Sequence, residues 1–158
     1  MIYIERVLKY YFVTIAFMYF EKGFTALTNF AAVETLLPHR SPAIVVDKLD
    51  SIENNTAVCS RTVRKNEHYG PGLCEEGIIE FCAQSAICGQ SLNAGGQEKI
   101  GVIAGIDDFC FYKKAISGDV LVAKIVTQAK MGNLSLFECT VRCGSDTIAH
   151  GFIKAALT

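Results

Sequence analysis

At 158 residues the chain suits a single domain, long enough to bury roughly 70% of the surface its unfolded form would expose. A net charge of -1 offers no basic field for nucleic acid, and 51% hydrophobic against 20% charged residues argues against disorder. Seven cysteines are an odd number, and none shows the Cys-x2-Cys spacing of a zinc site. They read as reduced thiols acting as small hydrophobes, so no metal is expected and a cytoplasmic setting is favoured.

Residues 1–24 differ from the rest. Val7 to Phe20, broken by Lys9 and Thr14, carries the apolar run YYFVTIAFMYF. That run is short of the roughly 18 to 20 residues a bilayer requires, so no membrane span is expected. Arg6 and Lys9 ahead of it resemble the front of a signal peptide, but the run ends in Glu21-Lys22 without a small-residue cleavage pair. The expected division is an apolar extension over 1–24 and one domain over 25–158.

From Ala43 the pattern turns to strands. Ala43 to Leu49 is a short, Val-rich apolar run, and the turn Glu53-Asn54-Asn55 leads into a second strand from Thr56 to Val63. A loop, His68-Tyr69-Gly70-Pro71-Gly72, precedes a helix whose opening carries Glu75 and Glu76, where negative charge complements the helix dipole. The helix is expected to run to about Leu92 and stop at Asn93-Ala94-Gly95-Gly96. It is apolar almost all round, the mark of a helix wrapped by other structure. Within it stands one carboxyl, in Gly77-Ile78-Ile79-Glu80-Phe81-Cys82-Ala83-Gln84. Burying a carboxylate without a partner costs several kcal/mol or forces the group to keep its proton, so Glu80 is either paired or used as an acid.

Four strands are expected after the helix: Gly101 to Tyr112, Asp119 to Met131, Leu134 to Cys143 and Thr147 to Leu157. Gly132-Asn133 and Gly144-Ser145-Asp146 make the tight turns. In the second of these strands Leu121, Ala123, Ile125, Ala129 and Met131 share one face against Lys124, Gln128 and Lys130. An antiparallel sheet curled around one apolar helix buries both, an α+β arrangement.

Three segments then carry a resemblance. Leu36-Leu37-Pro38-His39-Arg40-Ser41-Pro42 with Ile44-Val45-Val46-Asp47, the helix motif Gly77-Ile78-Ile79-Glu80 with Ala83-Gln84, and Ala104-Gly105-Ile106-Asp107 with Phe111 and Ser117-Gly118-Asp119 resemble the hot-dog-fold 3-hydroxyacyl-[acyl-carrier-protein] dehydratases of fatty acid synthesis. The likeness runs in order over 35–157. It implies a hot-dog fold, an acyl substrate carried on acyl carrier protein, no cofactor, and a homodimer or higher homo-oligomer in which each site draws on two protomers. By resemblance Glu80 acts on the leaving hydroxyl, a loop histidine takes the carbon-bound proton, and the Gly77 N–H holds the thioester oxygen.

The residues leave alternatives open. His68 stands nearer to Glu80 than the family's histidine does. One alignment equates His68-Tyr69 with the family's His-Phe pair; another sets Leu73 where the base should be, which would make a degenerate, acyl-binding subunit. A hot-dog thioesterase, with the carboxylate activating water, is the other enzymatic reading. Burial among Ile79, Phe81 and Ala83 is expected to favour the protonated form of Glu80, and Gln84 joins Gly77 as a candidate for oxyanion or substrate binding; the structural alternative is a Glu80 bonded to Gln84 one turn on or to a loop amide. Ile78, Phe81 and Phe109 are candidates to line an acyl tunnel. His39 and His150 read as structural, and Asp107 and Asp108 as strand-turning residues.

Overall fold

The computed structural model describes residues 31–65, 72–96 and 99–157. The extension over 1–24 and His68 lie outside them. A short helix α1 (Ala31–Leu36) is followed by β1 (Lys48–Glu53), β2 (Thr56–Thr62), a two-residue β3 (Gly72–Leu73) and the long helix α2 (Glu75–Asn93). The chain continues through β4 (Gly101–Phe111), a two-residue β5 (Ala115–Ile116), β6 (Val120–Met131), β7 (Leu134–Cys143) and β8 (Asp146–Leu157). Six strands form one antiparallel sheet in the order β1-β2-β6-β7-β8-β4, and β3 pairs with β5 beside it.

Helix α2 lies against this sheet because its sequence leaves it no polar side to offer water. Of the residues from Gly77 to Ser91, all are buried except Ile79 and Glu80. Phe81, Cys82 and Cys88 meet Cys59, Leu121, Ala123, Cys139 and Val141 in one core. The helix sits close to β2 at Gly89, where an added Cβ would lie 2.8 Å from the Ala57 Cβ. Glycine there trades helix propensity for approach.

The seven cysteines are all free thiols. Contact with Cys139, then burial, pushes the Cys82 thiol well above the usual range, and contact with Cys59 with burial does the same to Cys88. Such thiols are packing groups and poor nucleophiles.

Several expected boundaries move. The first strand begins at Lys48 instead of Ala43, because Val45 donates its N–H to the Gln84 side chain, leaving it outside the ladder. The buried pair Val45 and Val46 looked like strand core but packs as an extended lead-in. In β6, Leu121, Ala123 and Ile125 are buried as expected, but Ala129 and Met131 are exposed, Met131 at 76%. A bulge between Thr127 and Ala129 breaks the alternation, since one extra residue reverses which face each side chain takes. The hairpin turns carry Gly132 at φ 61° and Gly144 at φ 55°, conformations in which a side chain is strained.

Strand β4 has two register shifts against β8, the second between Asp107 and Cys110, with Asp108 at φ 47°. Asp107 pairs with Lys154 at 2.5 Å. The irregularity lays Phe109 across Gly151, where a Cβ would come 2.5 Å from the Phe109 Cα and 2.6 Å from its ring.

Candidate active site

Glu80 is the one charged residue between Gly77 and Ser91 of α2, and its surroundings are built by the segment that leads into β1. Gln84, one turn along α2 and fully buried, donates from Nε2 to Glu80 Oε1 at 2.7 Å and to the Ala43 carbonyl at 2.9 Å. Its own Oε1 accepts the Val45 N–H at 2.9 Å. One amide thus ties the carboxyl to the lead-in segment, and the bond between Glu80 and Gln84, one turn apart, is present.

The lead-in also delivers a histidine. His39 Nε2 lies 3.6 Å from Glu80 Oε1, with both side chains 30% exposed. That distance is an ion-pair approach and longer than a hydrogen bond. The other ring nitrogen, Nδ1, is buried with no hydrogen-bond partner among the described residues. Arg40 fixes the same turn by donating from Nη1 to the carbonyls of Leu37 and His39, each at 2.7 Å. The sequence marked His39 as structural. The signal that could have found it is the buried Gln84, whose amide needs the neighbouring backbone and so brings residues 39–45 to Glu80.

Glu80 is less sealed than its neighbours suggested. Phe81 and Ala83 are buried, whereas Ile79 and Glu80 are only partly so, and His39 approaches Glu80. Gly77 is buried on the same side of the helix as Glu80, three residues before it. The first backbone bond of α2 runs from the Ile78 N–H to the Cys74 carbonyl at 3.0 Å. The Gly77 N–H therefore precedes the helical ladder, at the positive end of the dipole.

A cavity of about 720 Å³ lies beside the start of α2, lined by the paired β3 and β5 and the end of β4. Leu73, Ile78, Phe111, Ala115 and Ile116 give it apolar walls, with Lys113 and Lys114 at its margin. Of the proposed tunnel residues, Ile78 lines it, Phe81 is sealed in the core, and Phe109 stands behind Phe111 with ring centroids 5.3 Å apart. Leu73 is buried and pairs with Ala115. The other described histidine, His150, stands on β8 and lies 3.1 Å from Glu138 Oε1, edge-on to Phe152. Among the described residues no cluster of His, Cys, Asp and Glu could hold a metal ion, and no helix is long and apolar enough to cross a membrane.

A long buried helix against an antiparallel sheet, with one carboxyl held at its opening turns, defines a hot-dog protein. The same architecture recurs in the dehydratase heterocomplex ApeI:P from Xenorhabdus doucetiae, at a TM-score of 0.69 and 18% identity over 80% of this chain and 90% of that one. The E. coli PaaI protein of the phenylacetic acid degradation operon shares it at a TM-score of 0.56 and 16% identity, over 69% and 81% of the two chains. The chain belongs to the ApeP-like family, described as ApeP dehydratase, which matches residues 31–157. It is also 31% identical to the 3-hydroxyacyl-[acyl-carrier-protein] dehydratase FabZ of Ruminiclostridium cellulolyticum, over 84% of this chain and 98% of the relative. The FabZ of Sinorhizobium medicae is 30% identical over 77% and 84%.

Proposed function

We propose that this protein dehydrates 3-hydroxyacyl thioesters carried on acyl carrier protein, giving trans-2-enoyl thioesters and water. The observation that carries the reading is the Glu80 carboxyl, fixed by Gln84 in the early turns of a helix that is otherwise buried from Gly77 to Ser91 apart from Ile79. In the elimination a base removes the proton beside the thioester carbonyl and that electron pair becomes the double bond. The carbon–oxygen bond then breaks as Glu80 gives its proton to the departing hydroxyl. The Gly77 N–H is the donor for charge growing on the thioester oxygen. His68, which falls in sequence between β2 and β3, is the base by resemblance.

The likeness to FabZ proteins supports acyl carrier protein as the carrier. A second copy of the chain, or a higher homo-oligomer, fits the edge strand β4, whose Val102 is 65% and Ile106 44% exposed. Unpaired edges with apolar side chains call for a cover. The cytoplasm is the setting this chemistry and the free thiols favour.

Purified protein incubated with 3-hydroxyacyl and with saturated acyl carrier protein tests the reading. Enoyl formation from the first, with no thiol release from the second, is the expected result. Thiol release alone would make it a thioesterase, and neither product would make it the acyl-binding subunit in which Leu73 stands for the base.

A further inference from the structure

We infer that Glu80 works through a single oxygen, Oε2, and that His39 is the positioning residue that, with Gln84, reserves Oε1 as the held oxygen. This rests on Glu80 being the acid of the proposed reaction.

Both contacts that the described residues make with the carboxyl converge on Oε1: the Gln84 amide at 2.7 Å and the His39 ring at 3.6 Å. None of these residues bonds Oε2. An amide nitrogen only donates, so Oε1 accepts from Gln84 and the acidic proton sits on Oε2. The orientation of Gln84 is fixed independently, because its Oε1 takes the Val45 N–H and its Nε2 the Ala43 carbonyl. A flipped amide would set donor against donor and acceptor against acceptor at both.

The tautomer of His39 follows from similar bookkeeping. Its Nδ1 is buried without a partner among the described residues. A proton on Nδ1 would bury an unpaired N–H and turn the lone pair of Nε2 toward a carboxyl oxygen. A proton on Nε2 leaves only a bare acceptor buried and points the N–H at Oε1. The second arrangement is the favoured one, since it buries no unsatisfied donor and turns the N–H toward the carboxyl oxygen. His39 in this state donates toward Glu80 and cannot accept the substrate's proton.

A hydrogen bond from Gln84 and a ring N–H directed at the same oxygen from 3.6 Å do two things. They stabilise the carboxylate that remains after proton delivery, and they stop the carboxyl from rotating its acidic oxygen away from the substrate. Both act on the proton-transfer step more than on substrate binding. The signature is a fall in kcat at constant KM.

The test compares His39→Phe with His39→Gln, using steady-state enoyl formation from 3-hydroxyacyl acyl carrier protein, with melting temperatures measured alongside. His39→Phe keeps an aromatic ring and is expected to lower kcat by about tenfold, the size of one lost charge-assisted contact, with KM unchanged. His39→Gln returns an N–H donor and is expected to recover most of that loss. Equal kcat in both variants and wild type overturns the inference. So does His39→Gln being as slow as or slower than His39→Phe, which would make the imidazole itself the proton acceptor. Loss of rate in step with melting temperature in both variants would reduce His39 to a structural role. Glu80→Gln separates the two levels: if it keeps wild-type dehydration the proposed function fails, whereas if it is inactive while His39 variants are normal only the inference fails.

Discussion

The two sides of α2 obey different rules. Toward the sheet stand Phe81, Cys82 and Cys88, sealed among Cys59, Cys139 and Val141 with no polar side-chain function beyond weak thiol contacts. Toward residues 39–45 stand Glu80 and Gln84, joined to backbone groups of Ala43 and Val45 and approached by His39. The first side holds the helix in place through packed volume. The second uses that fixed helix as a bench on which one carboxyl can be aimed. The division teaches that stability and chemistry are carried by residues only one position apart, and so can be separated by mutation.

Glu80→Gln is the sharpest way to test this. It preserves shape, removes the carboxyl proton and is expected to lower enoyl formation by on the order of 10² to 10⁴. The melting temperature, followed by circular dichroism, should stay near wild type. Phe81→Ala should do the reverse, destabilising by about 3 to 5 kcal/mol through lost burial and a cavity. Denaturant unfolding would measure it. If Phe81→Ala left stability intact but abolished turnover, the division between the two sides would collapse.

Gly89→Ala probes the packed side with a single carbon. Alanine is the better helix former by about 1 kcal/mol, yet the new Cβ would meet Ala57 at 2.8 Å. Overpacking costs typically about 1 to 3 kcal/mol, so the net effect should be a modest destabilisation, relieved by Ala57→Gly. Chemical denaturation of the single and double variants checks the sign.

The smallest expected effect lies on the solvent side of the sheet. A hydrogen bond from His150, with a second from Gln128, holds the Glu138 carboxyl below the usual carboxylate range. A depressed carboxyl adds stability above its unfolded pKa and loses it as pH falls through the folded value. Glu138→Gln should therefore cost a few tenths of a kcal/mol at neutral pH, since the pair is exposed. The difference from wild type should vanish in acid, as thermal melts across pH would show. Deleting residues 1–24 should cost no cooperativity in the melt if the proposed domain boundary at residue 25 is correct.

The sequence made the long helix, the four strands after it and the odd carboxyl legible, because each has a clear period or breaks one. Apolar residues on every side of α2 announced a wrapped helix, and Gly132 and Gly144 announced the turns. What escaped was decided by pairing at a distance. Val45 and Val46 have strand composition, yet the Val45 N–H belongs to Gln84, 39 residues away. The bulge after Thr127 has no local mark, so Ala129 and Met131 were assigned the wrong side. His39 gave no sign because its partner lies across the fold, and the two-residue strands β3 and β5 are too short to carry a period.

Gly151 and Phe109 behave as one amino acid divided between two strands. The ring on β4 occupies the space that a side chain on β8 would need, so the hydrogen at position 151 and the benzyl group at 109 are a matched pair. The crowding extends to the backbone, because an added Cβ at 151 would lie 2.5 Å from the Phe109 Cα as well as against the ring. Gly151→Ala should therefore be harmful with Phe109 present and only partly relieved once Phe109 is alanine. In a collection of related chains, glycine should persist at 151 even where the residue at 109 is small.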